Sequence, residues 1–338
     1  MGFSFSFFFI FDILVYMKKT KVAVLRGGPS GEHEISLKTG KSVIENLPHK
    51  YVPIDVYIDK VGVWHIEGIP VKPEKVFADV DVVFNAMHGA YGEDGKVQQL
   101  LEHFKIPFTG SGALASAVGM NKALSKEIFK QYGIKTPLHE TIKLGEEIHD
   151  FSERLFKSFP MPVVIKPNNG GSSIGVSIAS TISGIEKAIT ESFKHSDTVL
   201  IEEFIKGREA TCGVIDKMRG KDTYALLPIE IKKPKEAEFF DFDSKYNGRS
   251  EEICPGNFSV KEKAEIQKMA EEAHKALGLK HYSRSDFIVT PKRGIYILEV
   301  NTLPGLTSES LLPKSLRALG ISFPDFLDHL LTLALDNK

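Results

Sequence analysis

Across 338 residues there are only two cysteines, Cys212 and Cys254, and a single tryptophan. Two cysteines so far apart supply neither a disulfide framework nor the paired spacing of a zinc site, and they read as ordinary thiols of a reducing compartment. An excess charge of either sign is also missing, since 43 Lys and Arg stand against 44 Asp and Glu. Without a net field the chain has little to hold a polyanion or an acidic membrane surface, so no nucleic acid partner is expected. No apolar run reaches the ~20 residues of a spanning helix. The one candidate, the Phe-rich stretch 1–16 (MGFSFSFFFIFDILVY), is interrupted by Asp12, and it lacks the basic opening and the small-residue cleavage site of a secretory signal. It stands just ahead of Met17, Lys18 and Lys19. Two readings stay open for it: residues upstream of the true start at Met17, or a peripheral anchor that would be the one link to a membrane. The expected location is the cytoplasm.

What is present points to an α/β protein. At roughly 100–200 residues per domain, the length predicts two or three compact units. From Lys21 the run KVAVLRGG reads as a strand ending in two glycines, and an amphipathic helix follows over 33–47. Strands over 52–58 and 81–86 continue the alternation, which predicts a small parallel sheet with helices on its faces. The loop HGAYGEDG (88–95) then leads into a helix over 96–104. Glycine-rich loops at strand ends are where open α/β sheets place ligands. Past Gly110-Ser111-Gly112 the character changes: helices over 113–132, a strand over 161–166, a Gly/Ser loop over 167–176 and a strand over 176–179. A helix over 185–196 and strands over 199–205, 210–215 and 225–231 follow. Domain boundaries are expected near 112 and near 203–206. Residues 232–258 form a long polar connection, and loops of that length are usually lids or unstructured.

The most informative stretch is SRSDFIVTPKRGIYILEVNTLPG (283–305). Two β-rich runs flank the turn PKRG, so the sequence predicts an antiparallel hairpin centred between Lys292 and Arg293. That register sets Asp286 opposite Glu299 and Arg284 opposite Asn301, with all four on one face. The other face carries Phe287, Val289, Leu298 and Val300 as a core surface. Two facing carboxylates and an amide oxygen make a hard-oxygen set suited to magnesium. Facing carboxylates repel without a cation. The competing reading is a polar hairpin face on which Arg284 pairs with an acid.

In VVIKPNNGGSSIGV, Lys166 ends an apolar strand and a loop of small residues follows. Glycine lets backbone amides approach phosphate oxygens, and Ser172 and Ser173 add hydroxyl donors. It is not a P-loop, because the lysine precedes the glycines. Alternatively the loop is a mobile Gly/Ser hairpin without a ligand. Lys122, in SAVGMNKALSK, is either a second cation for the same anion or a solvated helix charge.

Together these pieces resemble the D-alanine:D-alanine ligase family of ATP-grasp enzymes. The resemblance runs from about Lys21 to the C-terminal helix, through GGPSGEHEIS (27–36), HGAYGEDG (88–95), TGSG (109–112), IKPNNGGSSIGV (165–176), DSKY (243–246) and EVNTLPGLTSES (299–310). Each motif alone is weak, whereas the ordered set is specific. The resemblance implies a three-domain ATP-grasp architecture: a Rossmann-like substrate domain over 17–112, then a central domain over 113–204 and a C-terminal domain over 205–338 with the lid 232–258. Antiparallel sheets of the last two would enclose ATP. It implies ATP contacts from Lys122, Lys166, Ser173 and Lys245, an adenine pocket along Glu202, Glu203, Phe204 and Ile205, and a ribose contact from Glu209. Asp286, Glu299 and Asn301 would hold two magnesium ions, with manganese as the alternative metal.

Glu32 would hold the ammonium of the first D-alanine, with His88 nearby, although an acid at a helix start is also favoured by the helix dipole. Ser172 and Tyr246 would link to Glu32 when the lid closes, and Tyr246 could otherwise be a lid packing residue. Ser310 would bind the carboxylate of the second D-alanine, or it caps a helix. Arg284 and the N–H of Gly305 would stabilise the tetrahedral oxyanion. The implied activity is ADP-forming ligation of two D-alanines through a D-alanyl phosphate, for peptidoglycan synthesis, by a homodimer. Ser285 stands where relatives often carry an aliphatic residue, and Pro29 and Gly31 vary the loop before Glu32; neither removes a functional group. Tyr246 favours an amine as second nucleophile, with D-serine still possible. Two other readings share parts of this pattern. An ATP-grasp ligase for another amino acid would not need Glu32, Tyr246 and Ser310 together, and a non-catalytic nucleotide-binding protein would show a broken acidic set.

Overall fold

The computed structural model describes residues 19–171, 174–232 and 251–336. Its first sheet contains β1 (Thr20–Gly27), β2 (Tyr51–Ile58), β3 (Trp64–Ile66), β4 (Ile69–Val71) and β5 (Val82–Asn85), in the order β4-β3-β2-β1-β5. β1 lies parallel to both β2 and β5. Side chains of β1 are buried on both sides, which is why the strand reads as a continuous apolar run rather than an alternation. Val22 and Val24 pack on the side of α1 (His33–Asn46), which contributes Val43. Ala23 and Leu25 face α2 (Pro73–Ala78) and α3 (Lys96–His103), which supply Phe77, Val97 and Leu101. The sheet is not wholly parallel as the strand-helix alternation suggests. β3 and β4 form an antiparallel hairpin added to the β2 edge. Its two loop residues, Glu67 and Gly68, both have positive φ, 52° and 79°, as a tight right-twisted hairpin turn requires. Three-residue strands are too short for periodicity to reveal.

Next come α4 (Ala113–Met120) and α5 (Lys122–Gln131). Asn121 caps α5 by accepting a hydrogen bond from the backbone N–H of Leu124 at 3.0 Å. The second sheet is wholly antiparallel, from β6 (His139–Lys143), β7 (Val163–Pro167), β8 (Ser177–Ala179) and β9 (Thr198–Glu203) in the order β6-β9-β7-β8. One face is covered by α6 (Ile148–Ser158) and α7 (Ile182–Ser192). Neither β6 nor α6 was expected from the sequence, and the expected helix over 185–196 starts earlier, where Thr181 accepts from the Gly184 N–H.

A third sheet runs β13-β12-β10-β14-β15, from β10 (Arg208–Asp216), β12 (Ile229–Lys232), β13 (Glu251–Ile253), β14 (Tyr282–Thr290) and β15 (Gly294–Asn301), with β11 (Thr223–Ala225) also on β10. The single strand expected over 225–231 is thus two, broken before Pro228, which lacks a donor for the ladder. Nor is 232–258 all connection. β13 pairs with β12, Phe258 is buried, and Ser259 opens α8 (Val260–Ala276) with a reciprocal capping box to Glu262. Packing does not follow chain order. Phe129 and Ile134, at the end of α5 and just after it, share a core with Ala210, Cys212, Phe287 and Ile297 of the third sheet. The last helices, α9 (Leu311–Ala318) and α10 (Phe323–Asp336), return to the first sheet, where Phe326, Leu330 and Leu331 meet Val22, Val24 and Phe84. Among the described residues no single helix is long and apolar enough to cross a membrane.

The segment 109–112 is pinned to the third sheet by a buried polar knot. Gly110 N–H donates to His281 Nδ1 at 3.0 Å, and Lys280 N–H donates to Ser111 Oγ at 3.1 Å. Asp216 accepts from the His281 backbone N–H at 2.6 Å and meets His274 Nε2 at 3.1 Å. Burial pushes the His281 imidazole down to about 4; Asp216 opposes this, while Lys280, His274 and His329 reinforce it. A neutral ring is required, since Nδ1 must accept.

Two measurements check this arrangement. Phe129→Ala should destabilise the protein to denaturant by about 3–5 kcal/mol, the usual cost of emptying a fully enclosed aromatic site. Because His281 is depressed when folded, the unfolded chain binds more protons at pH values between the imidazole's ordinary pKa of about 6.5 and about 4. Stability should therefore be complete above that window and fall as pH drops through it. His281→Asn, which tolerates the positive φ of 65° there, should flatten this pH dependence in urea titrations.

Candidate active site

The hairpin β14–β15 places Asp286 directly opposite Glu299 and Arg284 opposite Asn301, as expected. Near the turn the register differs from the expected one. A bulge between these pairs and the turn brings Phe287 opposite Ile297 and Ile288 opposite Tyr296. The extra residue reverses the alternation of β15. Leu298, expected on the core face with Phe287, Val289 and Val300, instead joins Ile205, Ile288 and Tyr296 in a small apolar group on the site side. The four polar residues are partly buried. Arg284 forks onto Asp286, with Nε to Oδ1 at 3.1 Å and Nη2 to Oδ2 at 3.0 Å, and Thr211 Oγ1 donates to Asp286 Oδ1 at 2.6 Å. Asn301 is oriented by the Leu303 N–H, which donates to Oδ1 at 3.0 Å.

Cations from the second unit come to meet this pair. Lys122, the first residue of α5, donates to the Gly170 carbonyl at 2.6 Å and lies 3.2 Å from Glu299 Oε2. It thereby joins the Gly/Ser loop to the acidic pair. Lys166, buried at the end of β7, reaches Glu202 Oε2 at 2.8 Å. The other carboxylate oxygen of Glu202 is ion-paired with Lys126, which the sequence reading passed over. Its signal was present: in KALSK, Lys126 follows Lys122 by four residues and shares its helix face. Thr136, also missed, accepts from Lys126 Nζ at 2.8 Å.

One carboxylate between two buried ammoniums sets the local titration. Burial opposes ionisation of Glu202, but Lys126 and Lys166 outweigh it and hold the group down to about 2. For Lys126 burial wins over Glu202, and its ammonium is pushed down to about 8. Burial acts on Lys166 too, yet Glu202, Glu299 and Asp286 together hold it above the ordinary lysine range. Beyond Glu202 the end of β9 is braced: Glu203 accepts from Leu138 N–H at 3.1 Å and from Arg293 Nη2 at 2.7 Å, and Phe204 N–H donates to the Pro162 carbonyl. Ile205 is buried within the apolar group of Ile288, Tyr296 and Leu298. Glu209 lies on β10, opposite Ile288 of β14.

Glu32 occupies the cap position before α1 but makes no side-chain cap bond. Its carboxylate lies between two glycine-rich loops instead. A Cβ on Gly89 would come within 2.9 Å of Oε2, and one on Gly171 within 3.0 Å. The glycines of both loops therefore allow Glu32 to sit where the first and second units meet. His88 is buried beside it, with Nε2 2.8 Å from Thr39 Oγ1 and Nδ1 3.3 Å from Glu93 Oε1. Burial raises the Glu93 carboxyl, with Glu32 adding to the rise and His88 opposing it. Ser310 precedes α9 without capping it. Its Oγ accepts from the Thr307 N–H at 3.1 Å, and a Cβ on Gly305 would fall 2.9 Å away. Gly305 and Ser310 are thus held side by side. Ser172, Ser173, Lys245 and Tyr246 lie outside the described residues, as do stretch 1–16 and DSKY.

Among the described residues no group of three or more His, Cys, Asp or Glu is placed to hold a metal by itself. Asp286, Glu299 and Asn301 still fit magnesium in kind: all three offer oxygen, and they stand at adjacent positions of one ladder. Such a set would be completed by phosphate oxygens rather than by further side chains.

A first unit with parallel strands at its heart, followed by two antiparallel sheets whose lysines and acids face one another, is the architecture of the ATP-grasp ligases. Comparison with known proteins narrows the class. A family model described as D-ala D-ala ligase C-terminus matches residues 128–332, and one described as D-ala D-ala ligase N-terminus matches 21–75 and 68–111. The D-alanine–D-alanine ligase of Geobacter sulfurreducens is 41% identical over 94% of this chain and 95% of its own length. The crystal structure of the Bacillus anthracis D-alanine–D-alanine ligase complexed with ATP superposes with a TM-score of 0.78 at 33% identity, covering 94% of this chain and 98% of that one. The VanG D-Ala:D-Ser ligase from Enterococcus faecalis reaches 0.82 at 30% identity, covering 94% and 100%. The chain belongs to the D-alanine–D-alanine ligase family.

Proposed function

We infer that this chain ligates two D-alanines to D-alanyl-D-alanine at the expense of ATP, for peptidoglycan precursor synthesis. The observation that carries the site assignment is the pairing of Asp286 with Glu299 beside Lys122 and Lys166. A carboxylate is a poor acyl donor, and a triphosphate brings a large negative charge; a site for both needs opposed acids and cations within one small space. In our reading the phosphates lie against Lys122, Lys166 and the Gly/Ser loop, with Lys245 and Ser173 added from the lid and the loop. Adenine sits on Ile205, Ile288, Tyr296 and Leu298 along the 202–205 segment, with Glu209 at the ribose. Asp286, Glu299 and Asn301 would hold two magnesium ions, or manganese, whose chemistry is to neutralise and polarise the transferring phosphoryl group.

Glu32 binds the ammonium of the first D-alanine and, with His88 behind it, orients the carboxylate toward the γ-phosphate. That carboxylate oxygen attacks phosphorus, ADP leaves, and D-alanyl phosphate forms. Ser310 holds the carboxylate of the second D-alanine. Its amine attacks the acyl carbon, the oxyanion is stabilised by Arg284 and the Gly305 N–H, and phosphate departs. Ser172 and Tyr246 link the closing lid to Glu32 and exclude water that would hydrolyse the intermediate. The proposal extends to domains over 17–112, 113–204 and 205–338, and to a homodimer in the cytoplasm with no nucleic acid partner. An enzyme for a different amino acid is disfavoured by the convergence of Glu32 with Gly171 and of Gly305 with Ser310.

The test is phosphate release from ATP and magnesium with D-alanine, L-alanine, D-serine or D-lactate, alone and in pairs. D-Alanine alone should give the largest turnover; a folded enzyme without D-alanine-dependent turnover overturns the substrate assignment, and a preference for the D-alanine plus D-serine pair reassigns the second site. Glu299→Gln should lower kcat by roughly a thousandfold with the fold intact, judged by thermal unfolding. Near-normal turnover would remove Glu299 from the phosphoryl-transfer site.

A further inference from the structure

Lys126 takes no part in the steps above, yet it is fully buried. An enclosed ammonium costs several kcal/mol unless it is both paired and hydrogen-bonded. Its two partners are Thr136, in the segment just before β6, and Glu202, on β9. Nζ donates to Thr136 Oγ1, and Thr136 Oγ1 in turn donates to the Ile297 carbonyl of β15 at 2.9 Å. On the other side Nζ pairs with Glu202 of β9, whose second oxygen meets Lys166 of β7. A continuous buried row therefore runs from the third sheet, through α5, to the two central strands of the second.

Charge counting gives the row a purpose. Glu202 and Lys166 alone would form a neutral pair, in which the carboxylate holds the ammonium on itself. With Lys126 on the opposite oxygen, the carboxylate of Glu202 is shared between two ammoniums and its hold on Lys166 is weaker than in a simple pair. An anion arriving at Lys166 then meets an ammonium whose carboxylate partner is shared with Lys126 rather than wholly engaged with it. The same bond fixes the rotamer of Glu202 at the head of the 202–205 segment. An apolar residue at 126 would fill the volume and supply neither effect. We propose that Lys126 is a positioning residue for ATP, which holds one oxygen of Glu202 so that Lys166 stays available to phosphate. The proposal rests on the placement of the ATP phosphates at Lys166 and Lys122 given above. Direct contact of Lys126 with the nucleotide is not required.

The experiment compares ATP binding by calorimetry, and ATP KM and kcat, for wild type, Lys126→Met, Lys126→Arg, Glu202→Gln and the Lys126→Met/Glu202→Gln pair, with Lys166→Met as control. Lys126→Met should raise KM for ATP by roughly tenfold or more while kcat at saturating ATP changes less than about threefold. Lys126→Arg should restore most of the loss. In the Glu202→Gln background, where no carboxylate charge remains to be offset, the same Lys126→Met change should cost less than about threefold. An ATP affinity of Lys126→Met within about twofold of wild type, or losses that simply multiply in the double variant, would overturn the proposal. If Lys126→Met does not fold, Lys126→Gln takes its place, and equal ATP affinity of the Gln and Arg variants overturns it likewise. An unchanged ATP affinity in Lys166→Met would instead sink the phosphate placement itself, whatever the Lys126 variants do.

Discussion

Two carboxylates directly opposite each other on neighbouring strands repel, and that constraint organises much of this molecule. Asp286 and Glu299 occupy such a pair, so the fold must bring cations to them. One comes from the same hairpin, as Arg284 on Asp286. The others come from the second unit: Lys122 at the start of α5, and Lys166 at the end of β7, whose ammonium is held up by Glu202 first and by both acids as well. Helix α5 can deliver Lys122 because it sits on the third sheet, anchored by Phe129 and Ile134. The acidic pair and the packing of that helix are two sides of one arrangement.

A charge-dense site of this kind is suited to a reaction that collects charge. Four groups that would be costly in isolation, namely two acids and two lysines, offset one another, and in the proposed reaction a triphosphate and its metal ions would replace some of the pairings. The surroundings of Glu32 and Ser310 are organised differently, by space rather than charge. Glu32 reaches the meeting point of two loops only because Gly89 and Gly171 carry no side chain, and Gly305 permits the approach of Ser310. Long-range braces hold these loops. Ser42 of α1 donates to the Leu306 carbonyl at 3.0 Å, Tyr51 bonds Asp328 of α10, and His281 holds the 109–112 segment. Glu32 and His88 of the first unit and the acids of the third are thus kept in register although most of the chain separates them.

By itself the sequence determined the local geometry of the site. The pairing of Asp286 with Glu299 and their shared face were read from the turn and strand alternation, although the register next to the turn is one residue off and the bulge restores it at this pair. The ordered glycine motifs identified the class of enzyme, since each marks a backbone that must approach a ligand or another loop. Tertiary structure decided what local pattern does not encode. The bulge that turns Leu298 toward Ile205 depends on how β15 meets its neighbours, not on its own alternation. The short strands β3, β4 and β13 exist because an adjacent edge offers them hydrogen bonds. Lys126 looked like any lysine on an amphipathic helix, and only the docking of α5 between two sheets encloses it with Glu202 and Thr136. Pairing between strands joined by a tight turn is set by residues a few positions apart, whereas burial of a charge depends on partners brought together from the whole chain.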